Sequence, residues 1–179
     1  GGTPGEANSP AGSSEPDPGT NPDPDPGTYP DPVIPPSDDS NPGDIIINEV
    51  MADPVGLIEL PETEYVEIYN VSEDDLSLSG WVFLYDGKET ILPDTVLPSG
   101  CYAVLYRSGR DMIIGEDALL LGLDKFPSAL ANDGKTIGLK NSKGVLIDEM
   151  AYPKSTRGKS YERGDDGRWH VCTDEKGGT

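Results

Sequence analysis

The chain has 179 residues, with 13 Lys and Arg against 33 Asp and Glu, a formal charge of −20 at pH 7. Lys and Arg supply most of the affinity for phosphate backbones, so this balance disfavours nucleic acid and anionic lipid surfaces as partners. No apolar run approaches the roughly 20 residues of a membrane span.

Residues 1–43 hold 12 of the 18 prolines and eight acidic residues, and no Lys or Arg. So few aliphatics cannot offset the entropy of ordering the backbone. The repeated Asp-Pro of "EPDPGTNPDPDPGTYPDP" fixes φ near the polyproline value while like charges repel, which predicts an extended acidic linker. The folded domain is expected from Asp44 onward, residues 44–179.

From there the sequence breaks into short apolar runs separated by Gly, Pro, Asn and Asp, the pattern of an all-β domain. Strands are predicted near 45–51, 64–70, 80–85, 90–92, 101–107, 136–140, 145–152, 160–163 and 168–172. Turn signals bracket them at "DGK" (86–88), "LPSG" (97–100), "NDGK" (132–135) and "NSKG" (141–144). In "EYVEIYN" alternation turns Val66 and Ile68 inward. In "VLIDEMAY" it sets Val145, Ile147, Glu149 and Ala151 against Leu146, Asp148, Met150 and Tyr152. Only 116–123 has letters that suit a helical turn, and Gly115 and Gly122 suit a loop equally. Cys101 and Cys172 lie too far apart for a CxxC motif; a disulfide and two separate buried thiols both fit.

Several side chains could carry chemistry. A hard cation such as calcium needs six to eight oxygens; Asn48, Glu49, Asp53 and Glu64, with Glu62 and Asn70, could supply several if the first two strands pair with their loop ends together. No DxDxDG loop accompanies them, and solvated strand ends explain the same letters. Glu49, Glu64 and Glu67 could be imagined as a hydrolase pair, but nothing separates an acid from a base. The single histidine, His170, sits on a strand, and no GxSxG or His-rich metal motif occurs, so catalysis is not expected. Trp81 reads as a core residue, whereas Trp169, between Arg168 and His170, is a candidate surface for a sugar or a partner. The loop "DPVGLIELPE" carries Val55, Leu57, Ile58 and Leu60 between two prolines. It either folds over an open end of the domain or presents Leu57 and Ile58 to another protein.

Taken in order, "IIINEVMADP", "EYVEIYN", "LSLSGW", "LPDTVLPSGCYAVL", "ALANDGKTIGLKNSKGVLIDEMAY" and "KSYERGDDGRW" resemble the bacterial lamin-tail domain. The resemblance covers most of Asp44 to Trp169. It implies an immunoglobulin-like β-sandwich of two antiparallel sheets, without established catalytic residues, of the kind found as accessory modules in secreted or surface-attached bacterial proteins. "GGTPGEAN" at Gly1–Asn8 is similar to the segment with which such domains often close, which implies the end of a preceding repeat in a tandem array. The expected role is a non-catalytic structural or adhesive module of a larger extracellular, cell-surface or periplasmic protein. Its partners would be other proteins or neighbouring domains of the same polypeptide. The alternative is a calcium-assisted or carbohydrate-binding module appended to an extracellular enzyme.

Overall fold

The computed structural model describes residues 39–56, 61–113 and 118–172. Strands follow in the order β1 (Ile45–Met51), β2 (Tyr65–Asn70), β3 (Leu76–Ser77), β4 (Val82–Tyr85), β5 (Lys88–Ile91), β6 (Val96–Leu97), β7 (Tyr102–Arg107), β8 (Ala118–Leu123), β9 (Thr136–Lys140), β10 (Leu146–Ala151), β11 (Tyr161–Arg163) and β12 (Trp169–Val171). One sheet has the order β12-β11-β1-β2-β7-β8, a second the order β10-β9-β4-β5, and β3 pairs with β6. Among the described residues there is no helix.

The two larger sheets close over one core, as expected of an immunoglobulin-like sandwich. Ile45, Ile47, Val66, Ile68 and Leu105 come from the first sheet, and Phe83, Ile137, Leu139 and Ile147 from the second. Trp81 is fully buried, as its place after "LSLSG" suggested, and Phe83 stacks on Phe126 with ring centroids 5.7 Å apart. Chain already joins the sandwich ahead of Asp44: Gly43 N–H donates to the Ile147 carbonyl, and Asn141 donates to the Ser40 hydroxyl. The two cysteines are free thiols, Cys101 half-buried and Cys172 buried.

Local chemistry explains the tightest turns. Asp86 and Gly87 both take positive φ, 47° and 76°, so the β4–β5 hairpin closes through the two-residue turn whose twist matches that of the strands. At Gly134 the backbone lies so close to the Tyr152 carbonyl that a Cβ would collide with it. Only glycine fits there.

The segment 116–123 departs from the helical-turn or loop expectation. Its second part is the strand β8, which pairs in parallel with β7 from Tyr102↔Ala118 to Arg107↔Leu123, while the other ladders are antiparallel. Leu121 and Leu123 reach the core from this strand, so burial of alternate leucines outweighs the helix propensity of "ALLL".

Two bulges shape the sandwich. In β1 the register to β2 shifts between Ile47 and Glu49. The extra residue, Asn48, reverses the alternation, so that Val50 and Ala52 continue the inward face begun by Ile45 and Ile47. In β10 the register to β9 shifts between Leu146 and Asp148. Ile147 is therefore buried and the adjacent Asp148 carboxylate nearly so, which overrides the simple alternation expected for "VLIDEMAY". The two bulges meet. Asp148 Oδ2 accepts the Ile47 N–H at 2.8 Å and a guanidinium N–H of Arg163 at 2.6 Å, so one carboxylate joins β1, β10 and β11 across both sheets.

Because its partners are largely desolvated, Asp148→Ala should lower unfolding stability by about 3 kcal/mol in a denaturant titration. Asp148→Asn, which keeps an acceptor for Ile47, should cost less.

Candidate functional site

Antiparallel pairing of β1 with β2 and of β2 with β7 brings the end of β1, the start of β2 and the end of β7 to one end of the sandwich. There a cleft of about 260 Å³ opens between the 52–55 and 62–64 segments, Arg107, Arg110 and the loop that starts at Phe126. It holds both signs of charge: Asp53, Glu62 and Glu64 with Arg107 and Arg110. Phe126, itself buried in the core, anchors the loop on the far side.

Hydrogen bonds fix most of these groups. Glu62 accepts the Gly56 N–H at 2.8 Å, which ties together the two visible ends of the apolar loop, and Gly158 N–H donates to the Asp53 carbonyl at 2.7 Å. Glu64 reaches across the cleft to accept the Leu130 N–H at 2.6 Å. Arg107 donates to the Phe126 carbonyl at 2.8 Å. Partial burial raises the Glu64 carboxyl above the ordinary glutamate range; the Leu130 N–H opposes this, Asp53 adds to it, and Arg110 and Arg107 oppose it.

The four residues expected as metal ligands are divided between two places. Asp53 and Glu64 line the cleft, whereas Asn48 and Glu49 lie on the outer face of the large sheet. There Asn48 donates to Glu67 Oε1 at 2.8 Å, and Tyr65 Oη donates to Glu49 Oε1 at 2.6 Å. Glu49 and Glu67 are direct cross-strand partners and both are buried. Burial and these carboxylates push the Tyr65 phenol far above its ordinary pKa, which holds it as a proton donor. Asn70 lies at the opposite end of β2 with no exposure. Its amide donates to the Asp74 and Leu97 carbonyls and accepts from the Ser72 N–H and hydroxyl, so it is a structural knot. Among the described residues no group of three or more His, Cys, Asp or Glu is arranged to hold a metal ion.

Of the expected partner residues, Leu57 and Ile58 lie outside the described residues. Trp169 packs against the core from β12, and its indole N–H donates to the Ala151 carbonyl at 2.9 Å. Its ring is therefore half-buried in place, not a free stacking platform. His170 is exposed and within hydrogen-bond distance of Asp166, 2.9 Å, in the β11–β12 hairpin. Sequence reasoning missed Arg107 and Arg110, because charged residues at or just past the end of an apolar strand look like any solvated strand end. Only the fold brings them opposite Glu64.

A family model for the lamin tail domain matches residues 38–154, most of the sandwich from the approach to β1 through β10. The chain belongs to the lamin tail domain family. This is an immunoglobulin-like family, typically of protein-interaction modules and generally non-catalytic. No curated protein matches the chain. In this lamin tail domain the cleft lies at the strand ends, on loops positioned by a rigid sandwich, where binding groups are disproportionately found.

The elevated Glu64 carboxyl has a definite linkage sign. The folded state holds the proton more tightly than the unfolded chain, so the contribution of this group favours folding at acid pH and is lost as pH rises through the folded-state value. Glu64→Gln should therefore raise the melting temperature at neutral pH, and the difference from the wild type should vanish below the ordinary glutamate range. A pH series of thermal melts checks it.

Proposed function

We propose that this lamin tail domain is a non-catalytic adhesive or scaffolding module of a larger exported protein, and that it grips a protein partner or neighbouring domain at the strand-end cleft. The observation that carries this reading is the placement of Arg107 and Arg110 opposite Asp53, Glu62 and Glu64, on loops at one end of the sandwich. A cleft that presents both signs of charge can pair with the mixed Lys, Arg, Asp and Glu side chains of a protein surface, and such complementarity fixes register and orientation. Two arginines lining the same cleft also oppose a dication, which favours a protein over calcium as the ligand.

The acidic, proline-rich segment 1–43 supports the setting. Its charge and composition suit a spacer that holds a binding module away from a surface. A secreted or cell-surface protein is the context in which such a spacer has a use.

Arg110→Glu tests the cleft. Arg110 is exposed, so the change should leave stability within about 0.5 kcal/mol. It should abolish cross-linking of the natural full-length protein to its neighbours on intact producing cells; unchanged cross-linking would reject the cleft as the contact. The calcium-assisted alternative is separated by melting the protein in millimolar calcium and in chelator. Site binding would raise the melting temperature according to the saturation of the site, whereas the interaction reading expects coincident curves.

A further inference from the structure

The two long sides of the sandwich differ. One is closed by Asp148 where β10 meets β1 and β11. On the other, β5 and β8 are the last strands of their sheets, and a groove of about 550 Å³ runs between Glu89–Pro93 and Gly122–Lys125.

The register shows what this side offers. In the β4–β5 hairpin Tyr85 pairs with Lys88 across the two-residue turn, and Leu92 N–H donates to the Trp81 carbonyl at the far end. Lys88, Thr90 and Leu92 therefore turn their peptide groups toward β4, and Glu89 and Ile91 turn theirs outward. Among the described residues no backbone hydrogen bond reaches Glu89 or Ile91 from that side. Ile91 is also 72% exposed, the most exposed large aliphatic among the described residues. On the facing strand Leu123 C=O accepts the Ser108 N–H, so β8 turns the peptide groups of Leu120 and Gly122 outward. An open edge of this kind is a template for another strand.

We propose that the β5 edge is a docking site for an extended, cationic polypeptide segment, which adds as a fifth strand to the β10-β9-β4-β5 sheet. The outward peptide groups of Glu89 and Ile91, unpaired among the described residues, require an extended backbone as the occupant. Charge selects which one. At −20 a second copy of the chain is repelled, and a basic segment is attracted. The rim itself carries Lys88 and Lys125 as well as Glu89 and Asp124, so the preference for cations comes from the whole chain, and the hydrogen bonds come from the edge. Alternate side chains of the segment would cover Ile91 or point into the groove beside Leu92 and Leu123. Pro93 ends the edge and limits the added strand to a few residues.

The test uses the full chain and a short fluorescent peptide of alternating Lys and Val, compared with the same peptide N-methylated at every second amide. The two peptides have equal charge, but only the first can complete the ladder. Fluorescence anisotropy should show saturable binding of the first and binding of the second weaker by about tenfold or more, the loss of one or two backbone hydrogen bonds. Ile91→Pro removes an outward N–H that β4 does not use, so it should cut binding to the same degree while the melting temperature holds. Ile91→Lys, which keeps that N–H but adds a like charge, should weaken binding as well and covers the case in which proline perturbs the hairpin. Arg110→Glu should bind the peptide like the wild type, which separates this edge from the cleft. Equal binding of both peptides, no binding of either, or unaltered binding by both Ile91 variants would overturn the proposal. So would self-association in sedimentation that Ile91→Pro abolishes, since the occupant would then be a second copy.

Discussion

The sandwich depends on one carboxylate at the junction of its sheets. Asp148 sits at a bulge in β10, faces a bulge in β1, and holds the Ile47 N–H and the Arg163 guanidinium on the same oxygen. A bulge turns a side chain out of its regular alternation, and the Ile47 N–H lies on the side of β1 away from β2, ahead of the β11 pairing at Glu49 and Val50. Here that donor and the turned acceptor satisfy each other. Without the Asp148 carboxylate the Ile47 N–H would lose this partner, which is costly for a largely buried donor. The guanidinium adds an opposite charge beside the carboxylate, 2.6 Å away, in a site with little solvent.

This junction also sets the two faces of β1. Past Asn48 the alternation reverses, so Val50 enters the core while Glu49 and Met51 go to the opposite side of the sheet. There Met51, Tyr65 and Val104 form a second apolar cluster beside Glu49 and Glu67. The centre of the large sheet is thus covered on both faces, with its carboxylates tied to Tyr65 and Asn48. Rigidity there is what the strand-end cleft requires. Asp53 and Glu64 are held by the ends of β1 and β2, and the loop from Phe126 by a ring stacked on Phe83.

Much of this was legible in the letters. Val66 and Ile68 showed the inward face of β2, Asp86-Gly87 showed the β4–β5 hairpin, and the order of six segments pointed to the lamin tail domain. What escaped was whatever depends on partners distant in sequence. "LIDE" read as regular alternation, and nothing in "INEV" announced a bulge, because a bulge leaves no signature beyond a break in phase. The strand β8 was hidden because a parallel edge strand borrows its partner, β7, across a long connection. The cleft was half visible: the acidic residues stood out as a group, but their counter-charges, Arg107 and Arg110, lie at and just beyond the end of β7. Asn70, grouped with possible ligands by its chemistry, is consumed by three hydrogen bonds within four residues and a fourth to the Leu97 carbonyl, which its chemistry alone does not reveal.

The order β12-β11-β1 has a mechanical consequence. Both ladders in it are antiparallel, so β1 and β12 run in the same direction, and the sandwich is entered at one end of the sheet and left at the other. Tension between the first and last strands acts along the strand axes. The hydrogen bonds that hold β11 to its two neighbours are then sheared together instead of being peeled one at a time. Arg163, paired with Asp148 from the middle strand of the three, anchors that load to the second sheet.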